Sequence, residues 1–116
     1  MIVQKADVLL ITHRRLFAED LPRFFIGRVD NYADGLVLIS GYSWVRDSIH
    51  AEMKRKDDLR TKVVSLSSGT ALIYQLPGDL DIAALRLESA ERQQLFLVDG
   101  HGFSMNITDY HGASLK

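Results

Sequence analysis

Asp34-Gly35 sits at the centre of residues 23–46, RFFIGRVDNYADGLVLISGYSWVR. The flanks are rich in strand-favouring types: Phe24, Phe25, Ile26, Val29 and Tyr32 before the pair, Val37, Ile39, Tyr42, Trp44 and Val45 after it. An Asp-Gly pair suits a two-residue type I′ turn, because both central positions need positive φ. The segment therefore reads as a β-hairpin. If Ala33 opposes Leu36, then Val29 faces Ser40, Gly27 faces Tyr42 and Phe25 faces Trp44. One face then carries Phe25, Val29, Leu36, Leu38, Tyr42 and Trp44, and the other carries Phe24, Ile26, Val37, Ile39 and Val45. Both faces are apolar, whereas a sheet with one wet face alternates cleanly. Cover on both sides is expected, from another element or from another subunit. Gly27 and Gly41 lie mid-strand, where glycine marks a bend or a close approach, or makes room for a bulky neighbour such as Tyr42.

The rest of the chain supplies shorter strands. Residues 7–12 (DVLLIT) read as one, and residues 16–21 as a helical turn before Pro22. Residues 60–66 and 71–76 read as a second strand pair, joined at 67–70 and stopped by Pro77-Gly78. In residues 47–58 the basic run at 54–56 leaves no apolar stripe for a packed helix, so strand ends around a loop are preferred. Asp79 or Asp81 can cap a short helix containing Ile82 and Leu85. Residues 94–98 and 103–108 form a further hairpin around Asp99-Gly100-His101-Gly102, with Phe103, Met105 and Ile107 alternating. Together these elements make a mainly β, single-domain chain over residues 1–116. It reads as a small open barrel of short antiparallel strands, with short helical pieces and an extra C-terminal hairpin.

The middle of the chain resembles the Sm-like small barrels. Their first motif, Gly-x-Leu-x-x-x-Asp followed by a Leu-x-Leu strand, is similar to GRVDNYADGLVL at 27–38. Their second joins two short strands through an Arg-Gly step, similar to VVSLSSGTALIYQL at 63–76. The resemblance covers about residues 23–76 and implies a small barrel with a tendency to homo-oligomerise. It does not carry uridine binding across: no Asn precedes Leu36 as the family's base-holding residue does, and Ser68 stands where the family has Arg. The whole chain also resembles small bacterial proteins of unassigned function, through Leu16-Phe17, the Phe25-x-Gly27-x-Val29 run and the late Val98-Asp99-Gly100 turn. That likeness brings no activity with it.

Composition bounds the function classes. With 116 residues, 47% of them hydrophobic, the chain is long enough to bury a core without staples. The absence of Cys excludes disulfides, Cys-ligated zinc and thiol catalysis, and fits a cytoplasmic setting. Apolar runs of four residues are far short of a membrane span, and the first residues show no leader pattern, so no membrane partner is expected. Fourteen Lys+Arg against 15 Asp+Glu, a net charge of −1, argue against nucleic-acid binding through bulk charge.

Binding must then rest on local clusters. Lys54, Arg55, Lys56, Arg60 and Lys62 put five cations within nine residues. With Tyr42 and Trp44 nearby they form a candidate single-strand nucleic-acid surface. Asp57 and Asp58 interrupt the run, and the bland alternative is a set of solvated strand ends. Arg14 and Arg15 form a candidate anion clamp, or a solvated turn that pairs with Glu19 and Asp20. His101 beside Asp99, and His111 after Asp109, have residue types for acid–base or metal chemistry, but no HxH or HExxH spacing places two imidazoles together. Ser67-Ser68-Gly69 lacks the context of a nucleophile elbow. No cofactor is expected. The leading expectation is a non-enzymatic, oligomeric binding or assembly module. RNA or single-strand binding through the basic patch is the alternative, and a small enzyme with His101 or His13 at a subunit junction is the third.

Overall fold

The computed structural model describes residues 3–13, 23–46, 53–67, 69, 71–89 and 94–108. The 16–21 turn, the Arg14–Arg15 clamp, Ser68 and His111 lie outside the described residues. Nine strands are described: β1 (Val8–His13), β2 (Arg23–Ala33), β3 (Leu36–Arg46), β4 (Met53–Arg55), β5 (Arg60–Ser65), β6 (Ala71–Leu76), β7 (Arg86–Ser89), β8 (Leu95–Val98) and β9 (Ser104–Asn106). A 3-10 helix at Ile82–Ala84 lies between β6 and β7, capped by Asp81, whose side chain accepts a hydrogen bond from the Ala83 amide at 3.0 Å. The chain is mainly β and its pairing is antiparallel throughout. The first six strands form one sheet in the order β4-β3-β2-β1-β6, with β5 sharing the edge of β3 with β4. The last three form a second sheet, β7-β8-β9.

The central hairpin turns where expected. Asp34 has φ 53° and Gly35 φ 79°, and Ala33 opposes Leu36. The expected register holds only as far as Asn31 opposite Leu38; beyond it Val29 pairs with Ile39, and Asp30 is the extra residue of a β-bulge. Its carboxylate accepts a hydrogen bond from the Ser40 hydroxyl, which also meets the Thr61 hydroxyl at 2.9 Å. A one-residue slip moves every later side chain to the other face. The expected grouping is therefore corrected: Phe25 and Val29 join Val37 and Ile39, while Phe24 and Ile26 join Trp44.

The bulge also brings Gly27 directly opposite Gly41. A Cβ on Gly41 would lie 2.0 Å from the Ile26 carbonyl oxygen and 2.4 Å from the Gly27 Cα. The conflicting atoms are backbone, so the glycines serve a close approach of two strands and not the accommodation of Tyr42. On the far side of Gly27, Leu9 fills the position facing the inner side of the sheet.

Residues 60–66 and 71–76 are strands, as expected, but they do not pair with each other. β5 pairs with β3 and β6 with β1, at opposite edges of the sheet. Val64 and Leu66 from one edge and Ala71 and Ile73 from the other nevertheless pack on the same inner core, around Leu9, Ile11, Phe25, Val29, Val37 and Ile39. The sheet is thus curled, with both edges leaning over one concave face.

The convex face is covered by the C-terminal sheet. Val8, Leu10, Phe24, Ile26, Trp44, Met53 and Leu76 meet Leu80, Leu85, Leu87, Leu95, Leu97 and Ile107 in a second core. The short helix expected around Ile82 and Leu85 is the turn Ile82–Ala84; Leu85 stands at its C-terminal end and the chain continues as β7. Phe103, Met105 and Ile107 do share one side, as their alternation predicts. Both faces of the hairpin carry residues covered within one chain: Val37 and Ile39 are fully buried and Phe24 is 5% exposed, while Leu36 and Leu38 near the turn stay exposed on the outer face. The expectation that a second subunit is needed to cover Val37, Ile39 and Phe24 therefore loses its basis.

A candidate anion-binding groove

At residues 42–46 the edge of β3 changes partner. β5 pairs with it from Leu36 to Gly41, and β4 from Trp44 to Arg46. Between them the chain leaves the edge through residues 57–59, tethered by the Lys56 amide donating to the Ser43 carbonyl at 2.8 Å. The interruption leaves a groove of about 260 Å³ at this end of the hairpin, lined by Arg23, Phe24, Phe25, Ser43, Trp44, Val45, Lys56, Arg60 and Lys62.

Pairing geometry explains why the cations converge. Arg60 opposes Gly41 and Lys62 opposes Ile39, and opposed residues share a face, so both side chains leave β5 on the concave side. Arg23 opposes Val45 at the end of β2, on the same side as Phe25. The Lys62 ammonium lies over the Phe25 ring, 4.7 Å from its centroid. Phe25 is itself 5% exposed and belongs to the inner core, so the groove floor is the end of that core.

Four cations thus line a small concavity whose other polar side chain is Ser43. The carboxylate of Asp58 approaches Arg60 only at 3.8 Å, between two well-exposed side chains, a contact that contributes little. Guanidinium and ammonium groups in this arrangement suit an oxyanion, with arginine supplying paired donors and lysine a mobile point charge.

The five-cation patch read from the sequence is divided by the structure. Lys56, Arg60 and Lys62 line the groove. Arg55 shares the convex face with Trp44; it stacks on Tyr42 at 4.5 Å and donates to the Ala83 carbonyl at 2.8 Å, joining β4 to the 3-10 helix. Lys54 is exposed on β4 and is not part of the lining. Of the two aromatics expected beside the cations, Trp44 lines the groove and Tyr42 lies under Arg55. Arg23 and Phe25 were missed. Their signal was the position of Arg23 at the start of β2, but the bulge that turns Phe25 towards β5 is invisible to a simple register.

Among the described residues, His101 and Asp99 lie outside the lining of this groove. His101 is exposed in the β8–β9 turn, where its amide, and that of Phe103, donate to the Asp99 carboxylate at 2.7 and 3.0 Å. Those bonds, the His101 amide first, hold the Asp99 carboxyl below the usual carboxylate range. No group of three or more His, Asp or Glu side chains among the described residues is placed to hold a metal. The hairpin tip, where the Sm-like resemblance would place RNA contacts, meets the β5–β6 connection through the Leu66 amide and the Gly35 carbonyl at 2.9 Å. The groove lies at the other end of the same hairpin. No described helix is long and apolar enough to cross a membrane. Compared with protein families, curated proteins and solved structures, the chain matches none.

Proposed function

We propose that this chain is a non-enzymatic binding module whose ligand is anionic, of the phosphate-bearing class, and is held at the groove between β2, β3 and β5. Single-stranded nucleic acid is the macromolecule this surface fits. The observation that carries the reading is the convergence of Arg23, Lys56, Arg60 and Lys62 on one concavity floored by Phe25. The overall charge of −1 repels polyanions at long range, so such binding rests on this local cluster and is strongly screened by salt. Titration with oligothymidylate tests it. Affinity falls with salt at a slope of about −0.7 per phosphate neutralised, and the Lys56→Gln/Arg60→Gln variant loses about two such increments. A double variant that binds like the wild type overturns the reading.

A second reading, assembly into homo-oligomers, is supported by a different surface. Leu38 opposes Val63 across β3 and β5, and these two with Leu36 are 37%, 65% and 47% exposed on the outer side of the sheet edge. Contiguous exposed apolar residues beside an open strand edge favour association. Adjacent substitutions separate this from folding. Ile39→Lys places a charge in the inner core and unfolds the monomer. Leu38→Lys leaves the fold intact and dissociates the assembly, as read by light scattering. A wild-type chain that stays monomeric at hundreds of micromolar removes this second reading.

A further inference from the structure

We propose that the groove is a subsite for one nucleotide unit, with the Phe25 ring as the stacking platform for the base and Lys62 as its removable cover. This rests on the anion-binding reading above and names the ligand more closely. In the free protein the Lys62 ammonium occupies the face of Phe25. An ammonium on a benzene ring is held weakly compared with one that meets phosphate oxygens. A phosphate arriving between Arg23, Lys56 and Arg60 therefore draws Lys62 off the ring. That movement uncovers an aromatic face at the groove floor, beside the bound charge. A planar base attached to the same phosphate is the group that fills it, because stacking needs only a π-face and is tolerant of base identity.

The dimensions agree. About 260 Å³ falls just below the range of roughly 300–1,000 Å³ typical of drug-sized ligands, so the groove takes one small unit and not an extended molecule. The position agrees as well: Phe25 is the groove-lining ring with a cation seated on its face, so charge and ring are already adjacent. A ligand with phosphate and no ring leaves Phe25 exposed to water once Lys62 has moved. A ligand with both gains on each count.

Binding is followed by isothermal titration calorimetry, which needs no label. The wild-type protein is titrated with ribose 5-phosphate, thymidine 5′-monophosphate and an octamer of thymidylate. The nucleotide binds roughly tenfold tighter than the sugar phosphate, which has the same phosphate and no base. Phe25→Leu abolishes that difference while keeping the sugar-phosphate affinity. Because Phe25 belongs to the core, Lys62→Met is the second variant: it weakens both phosphates and preserves the preference for the base. Equal affinity of the wild type for nucleotide and sugar phosphate overturns the proposal while the anion site stands. Failure of every phosphate to bind overturns the anion site itself. An octamer that binds no tighter than the nucleotide, counted per residue, identifies a free nucleotide as the source; a tighter one identifies a strand.

Discussion

The inner core draws on residues 3–73 and is closed by the bending of a single sheet, whereas the outer core draws on residues 8–107 and is closed by one sheet docking on another. They share the strands β1, β2, β3 and β6, whose alternate residues go to opposite sides: Leu9 and Ile11 inward, Val8 and Leu10 outward. The inner core therefore depends on how far one backbone can bend. The outer core depends on whether the segment after Pro77 is held in place. Arg28 does part of that holding. Its guanidinium donates to the carbonyls of Ala6, Gly78 and Leu80 at 2.9, 3.0 and 2.8 Å, linking β2 to the connection that leads to the C-terminal sheet. The groove belongs to the inner system, since its floor is Phe25 and its cations come from β2, from β5 and from the turn before β5.

The largest effect is expected from breaking the bend. Gly41→Ala sets a methyl group 2.0 Å from the Ile26 carbonyl oxygen, with backbone on every near side. A loss above about 4 kcal/mol is expected, enough to prevent folding of a small domain. Circular dichroism and amide dispersion in NMR check it; a folded Gly41→Ala protein shows that the curl has slack.

Next comes the outer core. Leu97 is fully buried on β8, and Leu97→Ala is expected to cost about 2–5 kcal/mol in urea unfolding. The two cores share four strands, so one cooperative transition is expected. A separate early transition in this variant shows that the C-terminal sheet unfolds on its own. Arg28→Met keeps the aliphatic stem and removes the three hydrogen bonds. The expected loss is about 1–3 kcal/mol, moderated because water reaches part of the clamp. Hydrogen exchange should quicken in β7 and β8 more than in β3; equal quickening removes the distinction between the two systems.

The smallest effect is a pH dependence in the C-terminal hairpin. Asp99 accepts amides from His101 and Phe103, and its folded pKa lies below its unfolded value. A depressed carboxyl pKa contributes stability above the unfolded pKa and loses it as the pH falls through the folded one. The amide shift of Phe103 should therefore move as the pH falls through the Asp99 titration. In Asp99→Asn, which keeps an acceptor oxygen, that movement should vanish.

Local chemistry was sufficient where a residue's conformation depends on its immediate neighbours. The Asp34-Gly35 turn, the Asp81 cap, the strand character of β1, β5 and β6, and the Asp99–Gly102 turn could all be read from the chain, because positive φ, short polar caps and β-branched runs act within a few residues. The basic cluster was legible in the same way, as five cations in nine residues. Tertiary structure decided the rest. Nothing in the spacing of 23–46 marks Asp30 as a bulge. The bulge places Gly27 opposite Gly41, where the backbones can meet only without side chains, and carries Phe25 to the side where Arg60 and Lys62 emerge. Nor could adjacency in sequence tell that β5 and β6 belong to opposite edges, since a short connection permits a hairpin or a curl equally. The choice follows the apolar residues on both edges: Val64 and Leu66 from one and Ala71 and Ile73 from the other leave water by closing over Leu9 and Ile39. The same physics divided the cations. Pairing with β3 aims Arg60 and Lys62 into the concavity and Arg55 out to Tyr42, so the sequence holds the charges and the strand register decides which of them share a site.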